Sequence, residues 1–281
     1  MSRAIFALSP VTSMPGTDEK SKCSNEESLT WSNVYDVANA GPRRRFTIFS
    51  DRGPLIAHNC ELAFGYQGGV GAFRTMGQTL GVKVDDQTAD SYKMAWRAAH
   101  PRTVGTWKQL QNAAINAVRQ PGVEFQAGHP GRHVRFKAAG SFLWCRLPSG
   151  RVLCYPYAKL LEGEFGPQLT YMAVPSPDDA KKGKIIHDPK NASNWARVAT
   201  YGGSLMENVI QAMCRDLLVH CLMRLKGFAV LHVHDEIVIE IDEAKANEAR
   251  DGMQKIMREV PEWAAGFPLF TKCNVMRRYG K

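Results

Sequence analysis

The sequence lacks the features that define several large classes of protein. No apolar run approaches the roughly 20 residues that a membrane-spanning helix needs. Its seven cysteines form no Cys-x-x-Cys pair, which disfavours a zinc ribbon or a disulfide framework and indicates a reducing cytoplasm. Internal repeats are absent, and no Gly-Lys-Ser/Thr follows a glycine-rich loop, so a Walker-type phosphate loop is excluded. An ordinary globular chain of 281 residues remains, 44% hydrophobic and 22% charged.

Acidic residues are scarce relative to basic ones. The chain has 36 Lys and Arg against 27 Asp and Glu, a formal net charge of +9. Residues 60–281 hold 29 of the basic and 21 of the acidic residues and therefore carry +8 of this surplus. The surplus favours a polyanionic partner such as nucleic acid, but by itself it is also compatible with a protein that binds none.

The chain changes character near residue 60. Residues 10–30 are polar and rich in Pro, Gly and Ser, which predicts a flexible segment. Beyond residue 60, helical spacing of apolar positions predicts helices over 85–120, and short strands are predicted over 134–175. Between these regions, turn signals separate three strand-like pieces: Val34–Val37, Phe46–Phe49 and Leu55–Ala57.

The clearest helix is predicted over Ser204–Lys226, where apolar residues recur at i, i+4. Asn208, Gln211 and Arg215 fall on its opposite, polar face at i, i+3 and i+7. The segment FAVLHVHDEIVIEI follows, and we predict two apolar strands that turn back at His234-Asp235.

The tripeptide His58-Asn59-Cys60 has a specific chemical use. An Asn side chain can attack its own carbonyl and cleave the next peptide bond, with a neighbouring imidazole transferring protons. A Cys directly after that bond supplies a thiol nucleophile. By itself the tripeptide could equally be a chance sequence in an ordinary β appendage.

The whole stretch VYDV, AGPRRRF, DRG and PLIAHNC resembles the C-terminal splicing blocks of inteins, over residues 31–60. Many inteins have a histidine where this chain has Arg44, which is always charged and cannot act as an acid–base group at pH 7. Asp36 is the candidate replacement. The N-terminal splicing blocks do not occur in residues 1–30, so the resemblance implies the C-terminal fragment of a split intein.

Residues 60–281 resemble the C-terminal half of a family-A DNA polymerase of the phage type. Three motifs carry this resemblance, in the family's order: CELAFGYQGGVGAF, TYGGSLMENVIQAMCRDLL and HVHDEIVIEI. It implies a fingers segment with Tyr66 stacked at the templating site, and a helix that presents Asn208, Gln211 and Arg215 to the primer–template. It also implies a palm hairpin in which Asp235 and Glu236 bind two Mg²⁺ ions and His234 contacts the primer end.

Two parts of the polymerase pattern are missing from the chain. The palm motif Asp-Tyr/Phe-Ser-x-Ile-Glu, which supplies a second metal-binding Asp, does not occur. The fingers lysine should lie eight residues before Tyr66, where the chain has His58. Interruption of the fingers by a split intein explains both absences. A partner chain would then carry the intein N-fragment, the palm Asp, the thumb and the lysine.

These inferences predict an α+β fold, with helical fingers and an antiparallel palm sheet with a hairpin, preceded by a small β-rich fragment. The predicted domains are 1–59 (the intein fragment, with 1–30 partly flexible), 60–135 (fingers) and 136–281 (palm). The predicted partners are primer–template DNA, deoxynucleoside triphosphates and the N-terminal polymerase half, with no membrane.

Two alternatives remain open at this stage. Residues 60–281 could be a polymerase remnant with a non-splicing extension, acting as an inactive or DNA-binding fragment. A metallohydrolase could be built on His232, His234 and Asp235, since the two histidines share a strand face at i, i+2.

Overall fold

A computed structural model describes residues 3–11, 47–50, 53–56, 63–79, 83–163, 166–175, 185–187, 195–276, 278 and 279. The splicing residues predicted above, Asp36, Arg44, His58, Asn59 and Cys60, lie outside the described residues, as does the predicted strand Val34–Val37.

The described part of the chain is α+β, as predicted. Five helices lie within it: α1 (Val70–Thr79), α2 (Asp86–Ala99), α3 (Pro101–Arg119), α4 (Gly202–Arg224) and α5 (Ala246–Met257). The strands are β1 (Arg3–Val11), β2 (Thr47–Ser50), β3 (Gly53–Ile56), β4 (Glu124–Ala127), β5 (Val134–Ala139), β6 (Phe142–Arg146), β7 (Val152–Pro156), β8 (Lys159–Gly163), β9 (Gly166–Ala173), β10 (Ile185–His187), β11 (Ala196–Thr200), β12 (Ala229–Val233), β13 (Glu236–Asp242) and β14 (Phe270–Met276). Every strand pair among them is antiparallel.

The chain divides into two compact units, 59–213 and 1–58 with 214–281, so that one boundary falls inside α4. The predicted boundaries at 59/60 and 135/136 were drawn from sequence motifs, and they stay predictions. The second of them falls inside β5.

Unit 59–213 is built around α3 and two four-stranded sheets, ordered β4-β5-β6-β7 and β10-β11-β9-β8. Alternating residues of β5 and β6 are buried, among them Phe136 and Leu143, which are fully buried. They share one core with Leu110 of α3 and with Leu205 and Val209 of α4. The apolar stripe predicted for α4 therefore serves as a core face in this unit.

The other unit contains a sheet ordered β12-β13-β1-β14 and the short hairpin β2-β3. The core of this unit joins Ile237 and Ile239 of β13 to Leu218 and Cys221 of α4, and to Met253 of α5. The predicted turn between β12 and β13 is confirmed, since only residues 234 and 235 separate the two strands.

Strand β1 has an unexpected position between β13 and β14. It pairs with β13 from Arg3↔Asp242 to Leu8↔Ile237, and with β14 from Ile5↔Met276 to Val11↔Phe270. From sequence, this segment was predicted to belong to the N-terminal fragment, with Pro10 and Val11 already in the flexible stretch. Its pairing with strands of residues 236–276 could not be foreseen, because a single apolar strand carries no information about its neighbours.

Candidate functional site

The β12–β13 hairpin holds Asp235 at the end of a buried strand. Four consecutive residues of β13, Glu236–Ile239, are buried, while Asp235 and His234 are exposed in the turn. His234 has a φ of +52°, in the left-handed region that non-glycine residues adopt at a cost and that is enriched at functional sites. A rigid strand therefore presents one carboxylate to solvent in a constrained turn.

Glu236 has a different environment from its neighbour. It is 5% exposed, and its Oε2 accepts a hydrogen bond from the Tyr279 hydroxyl at 3.2 Å. A buried carboxylate needs such a partner, because burial without one is costly. The two acidic side chains of the predicted metal site therefore differ in their surroundings. Asp235 is exposed to solvent, whereas Glu236 is buried and hydrogen-bonded to Tyr279.

The negative charge of Asp235 affects the pKa of the Cys214 thiol on α4. Although the residue as a whole is exposed, desolvation of the thiol is the larger cause that raises the pKa of Cys214, and the Asp235 carboxylate raises it further. Cys214 directly precedes Arg215 in the helix. Asp235 therefore lies close enough to this turn of α4 for its charge to shift the pKa of Cys214.

Removal of the Asp235 charge should make Cys214 more reactive. In Asp235→Asn the negative charge that disfavours the thiolate is gone, so the pKa of Cys214 falls and more thiolate exists at neutral pH. We expect Cys214 to be alkylated faster in this variant, as measured by peptide mass mapping. The exposed Cys154 is the control, and its alkylation rate should not change. An unchanged rate at Cys214 contradicts an effect of the Asp235 charge on its pKa.

The three polar residues predicted on α4 differ in their contacts. Asn208 is half-buried and donates a hydrogen bond through Nδ2 to the Tyr155 hydroxyl at 3.2 Å. Gln211 is exposed and donates weakly to Glu207 Oε1 at 3.5 Å, and Arg215 is exposed. Asn208 therefore has a structural contact with the core, whereas Gln211 and Arg215 are accessible to a ligand.

The loop at Tyr66 is fastened to the start of α4. The Gly203 N–H donates to Gln67 Oε1 at 2.9 Å, and the Gly202 N–H donates to Gln111 Oε1 at 3.0 Å. The first N–H groups of a helix lack acceptors within the helix, and these two side chains supply them. Trp107 fixes the same loop by donating through Nε1 to the Gly65 carbonyl at 2.9 Å.

Tyr66 was predicted from sequence, but the residues that position its loop were not: Gln67, Gln111, Trp107 and the glycine pair. The Gly-Gly at the start of a strongly apolar helix was the available signal, since paired glycines there often mark a close backbone approach. The partners of the pair lie 91 and 136 residues away in the chain, and no local pattern reveals them.

Gly203→Ala should destabilise the unit 59–213. A Cβ at this position would lie 2.1 Å from the Tyr66 carbonyl oxygen, so backbone must move, at a cost of about 1–3 kcal/mol. Alanine gains up to about 1 kcal/mol over glycine in helix propensity, so the clash outweighs the gain. Equilibrium unfolding in a chemical denaturant measures the change in the free energy of unfolding.

Gly105→Ala is the matched control for this change. Gly105 lies within α3, and nothing stands within 4 Å of an added Cβ, so only the propensity gain applies and the variant should be more stable. Equal stabilisation of both variants would contradict the close packing of Gly203 on the Tyr66 loop.

The described residues do not contain a complete metal site. No group of three or more His, Cys, Asp or Glu side chains within them is arranged to hold a metal ion. His232, His234 and Asp235 therefore do not form the cluster that a metallohydrolase would need. Mg²⁺ is usually bound through only one or two carboxylates plus substrate phosphates, and the exposed Asp235 fits as one such ligand. In the same part of the chain, no helix is both long and apolar enough to cross a membrane.

Comparison with known proteins adds to this geometry. The chain is 39% identical over 228 residues to the DNA polymerase of Bacillus phage SP02, and the alignment covers 79% of this chain and 32% of the relative. The chain is similar to a phage DNA polymerase. It spans about a third of the length of that polymerase, and no family model matches it. The similarity confirms the predicted resemblance to a phage DNA polymerase, while the family-A class and the split intein stay predictions.

Proposed function

We propose that residues 60–281 are the C-terminal part of a family-A DNA polymerase that carries out template-directed nucleotidyl transfer in replication, in the cytoplasm of a bacterial or phage-infected cell. The similarity to the phage polymerase carries this proposal. It covers 79% of the chain at 39% identity.

Asp235 is the proposed catalytic carboxylate. In nucleotidyl transfer the primer 3′-oxygen attacks the α-phosphate of a nucleoside triphosphate, and pyrophosphate leaves. Bound Mg²⁺ ions would stabilise the charge on the attacking and leaving oxygens. Asp235 can hold such an ion because its carboxylate is exposed at the end of a buried strand, and a second Asp is expected on the partner chain. The role of Glu236 as a second ligand is part of the proposal, although the Tyr279 hydroxyl now occupies one of its oxygens.

The proposed DNA contacts come from α4, the Tyr66 loop and the hairpin turn. Exposed Gln211 and Arg215 suit contacts to phosphates or base edges, and Asn208 would keep its face of α4 in place through Tyr155. Tyr66 would meet the templating base from the loop that Gln67 and Trp107 fasten. His234, exposed in its left-handed turn, would contact the primer end.

We further propose that the chain is joined to its N-terminal half by protein trans-splicing. Cys60 would attack the ester or thioester that links the N-terminal half to the first residue of the partner's intein fragment, and that residue would leave as the free hydroxyl or thiol. Asn59 would then cyclise, which breaks the Asn59–Cys60 peptide bond and releases residues 1–59, and His58 and Asp36 would transfer protons. The thioester then rearranges to a peptide bond through the freed Cys60 amine. The chemistry of His58-Asn59-Cys60 and the intein-like blocks of residues 31–60 support this.

Mixing the chain with a polypeptide that carries the N-terminal half and the intein N-fragment tests the proposal. Intact-mass analysis should find a ligated product that contains residues 60–281 and lacks residues 1–59. Primer extension should then appear in the ligated product and depend on Mg²⁺. A partner that associates without any ligation would refute the splicing part.

The second candidate function, a non-splicing remnant that binds DNA, is favoured by one observation. Strand β1 is hydrogen-bonded on both sides within the sheet that carries the hairpin, as a permanent part of the fold would be. The same mass analysis distinguishes the two candidates, because a remnant stays at its full mass of 31.3 kDa with every partner tested.

A further inference from the structure

The sheet β4-β5-β6-β7 has one face in the core and one face open to solvent. Phe136, Leu143, Cys145 and Tyr155 are buried on the core side, where the sheet shares a hydrophobic core with residues of α3. Because successive side chains of a strand point to opposite faces, the alternate residues form a second, continuous surface, which we call the open face. Apart from the half-buried Pro156, its residues are exposed: Glu124, Gln126, Arg135, Lys137, Ala139, Phe142, Trp144, Arg146, Val152 and Cys154.

Aromatic rings occupy the middle of the open face. Phe142 and Trp144 are 36% and 38% exposed, and their ring centroids lie 5.0 Å apart with the planes tilted by 37°. Val152, 45% exposed, stands on the neighbouring strand. Single exposed apolar residues are ordinary, but a contiguous exposed patch marks an interaction surface.

Cations flank the rings on the same face. Lys137 stands directly opposite Trp144 in the β5–β6 register, and Arg146 stands opposite Arg135. Arg135 is 3.6 Å from Glu124, the one acidic side chain of the open face. Within the described residues, no ion pair neutralises Lys137 or Arg146. The open face thus combines a net positive charge with two rings.

We propose that the open face binds single-stranded DNA, with bases stacked on Phe142 and Trp144 and phosphates contacted by Lys137 and Arg146. Rings interleaved with cations on an exposed surface are the features by which proteins hold unpaired strands, because every base has a face that can stack. The choice of DNA over RNA rests on the proposed polymerase function, whereas the stacking itself does not. The open face shares no residue with the hairpin turn that presents Asp235.

A duplex is a poorer ligand for this surface. Its bases are already stacked on each other and would have to be unstacked to reach Phe142 or Trp144, which costs free energy. The phosphate contacts alone would remain, and these carry no preference for an unpaired strand. The open face should therefore prefer single strands.

Fluorescence anisotropy with a labelled deoxythymidine oligonucleotide tests the aromatic contacts in the full chain. Trp144→Ala should weaken the affinity about 5- to 150-fold, the effect of one lost base–aromatic stack, and Trp144→Phe should restore most of it. Phe267→Ala is the matched control, because Phe267 is exposed to a similar degree, 44%, on the other unit. Equal losses in Trp144→Ala and Phe267→Ala would overturn the proposal.

The salt dependence separates the cations from the rings. Each phosphate contact to a single strand contributes about −0.7 to the slope of log K against log salt, so Lys137→Ala should make the slope shallower by about that amount. Trp144→Ala should leave the slope unchanged. Lys108→Ala is the control, because Lys108 is an exposed lysine of α3, and it should keep the slope of the unaltered chain. Equal changes of slope in Lys137→Ala and Lys108→Ala would contradict a localised contact.

A photocrosslink locates the bound strand independently of any variant. An oligonucleotide with 5-iododeoxyuridine should give adducts at Phe142 or Trp144, identified by peptide mass mapping, and a matching duplex should give fewer. Adducts confined to other residues would overturn the proposal even if the chain binds DNA. If an iodouridine RNA gives the same adducts in the same yield as the DNA, the choice of DNA is refuted and the stacking surface remains. Failure of ligation or of primer extension, by contrast, would reject the proposed function without affecting these adducts.

Discussion

Asp235→Ala is expected to reduce primer extension by the joined polymerase by at least about 10²- to 10³-fold, the scale on which loss of one preorganised charge-stabilising group acts. The reason is that, in the proposed role of Asp235, a metal ion at the transferring phosphate would lose one of its few protein ligands. The measurement is the single-turnover rate of primer extension in Mg²⁺ with the ligated product.

Asp242→Ala is the matched control, because Asp242 is an exposed aspartate at the other end of the same strand, β13. It should extend primers at the parental rate. DNA affinity should survive Asp235→Ala, because the basic residues that dominate phosphate binding are unchanged. The 281-residue chain before ligation should not extend primers at all. Extension at the parental rate by Asp235→Ala would refute the catalytic role.

Asn59→Ala is expected to abolish release of residues 1–59. No other side chain at this position can form the succinimide, so a branched intermediate with the partner should accumulate in place of the ligated product. Intact-mass analysis over time follows both species. The effect is large because the substitution removes the reacting side chain itself, whereas other substitutions remove only a group that assists the reaction.

Two further variants make this test specific. Asn39→Ala changes the same side chain elsewhere in the N-terminal segment and should ligate normally. Cys60→Ala removes the acceptor thiol, so the branched intermediate should be absent while cleavage of the partner at its own splice junction continues. Normal ligation by Asn59→Ala would show that the intein resemblance is misleading.

The parts of the fold that sequence could predict are those fixed by local periodicity. The helix expected over Ser204–Lys226 is observed as Gly202–Arg224, because its apolar stripes repeat at helical spacing over six turns. The turn at His234-Asp235 was equally legible, since a polar pair interrupts two β-branched runs. Strands predicted at Phe46–Phe49 and Leu55–Ala57 are observed within two residues of those bounds.

The parts that escaped prediction depend on contacts between distant residues. Glu236 is buried and accepts a hydrogen bond from Tyr279, 43 residues later, and nothing in the run DEIVIEI distinguishes it from an exposed neighbour of Asp235. The open face was hidden for the same reason, because Lys137 and Trp144 become neighbours only through strand register. Composition revealed the basic surplus but not which surfaces carry it.

The placement of β1 has a consequence for the order of events at the junction. Cleavage after Asn59 would cut the covalent link between residues 1–59 and the rest of the chain, yet the pairing of β1 with both β13 and β14 would persist. Departure of the released fragment would leave those two strands with rows of unpaired N–H and C=O groups, a state that favours capture of another strand. Breaking the peptide bond and vacating the sheet are therefore two separate steps with separate rates. A fragment that has been cut out chemically would remain bound until a competing strand displaces it.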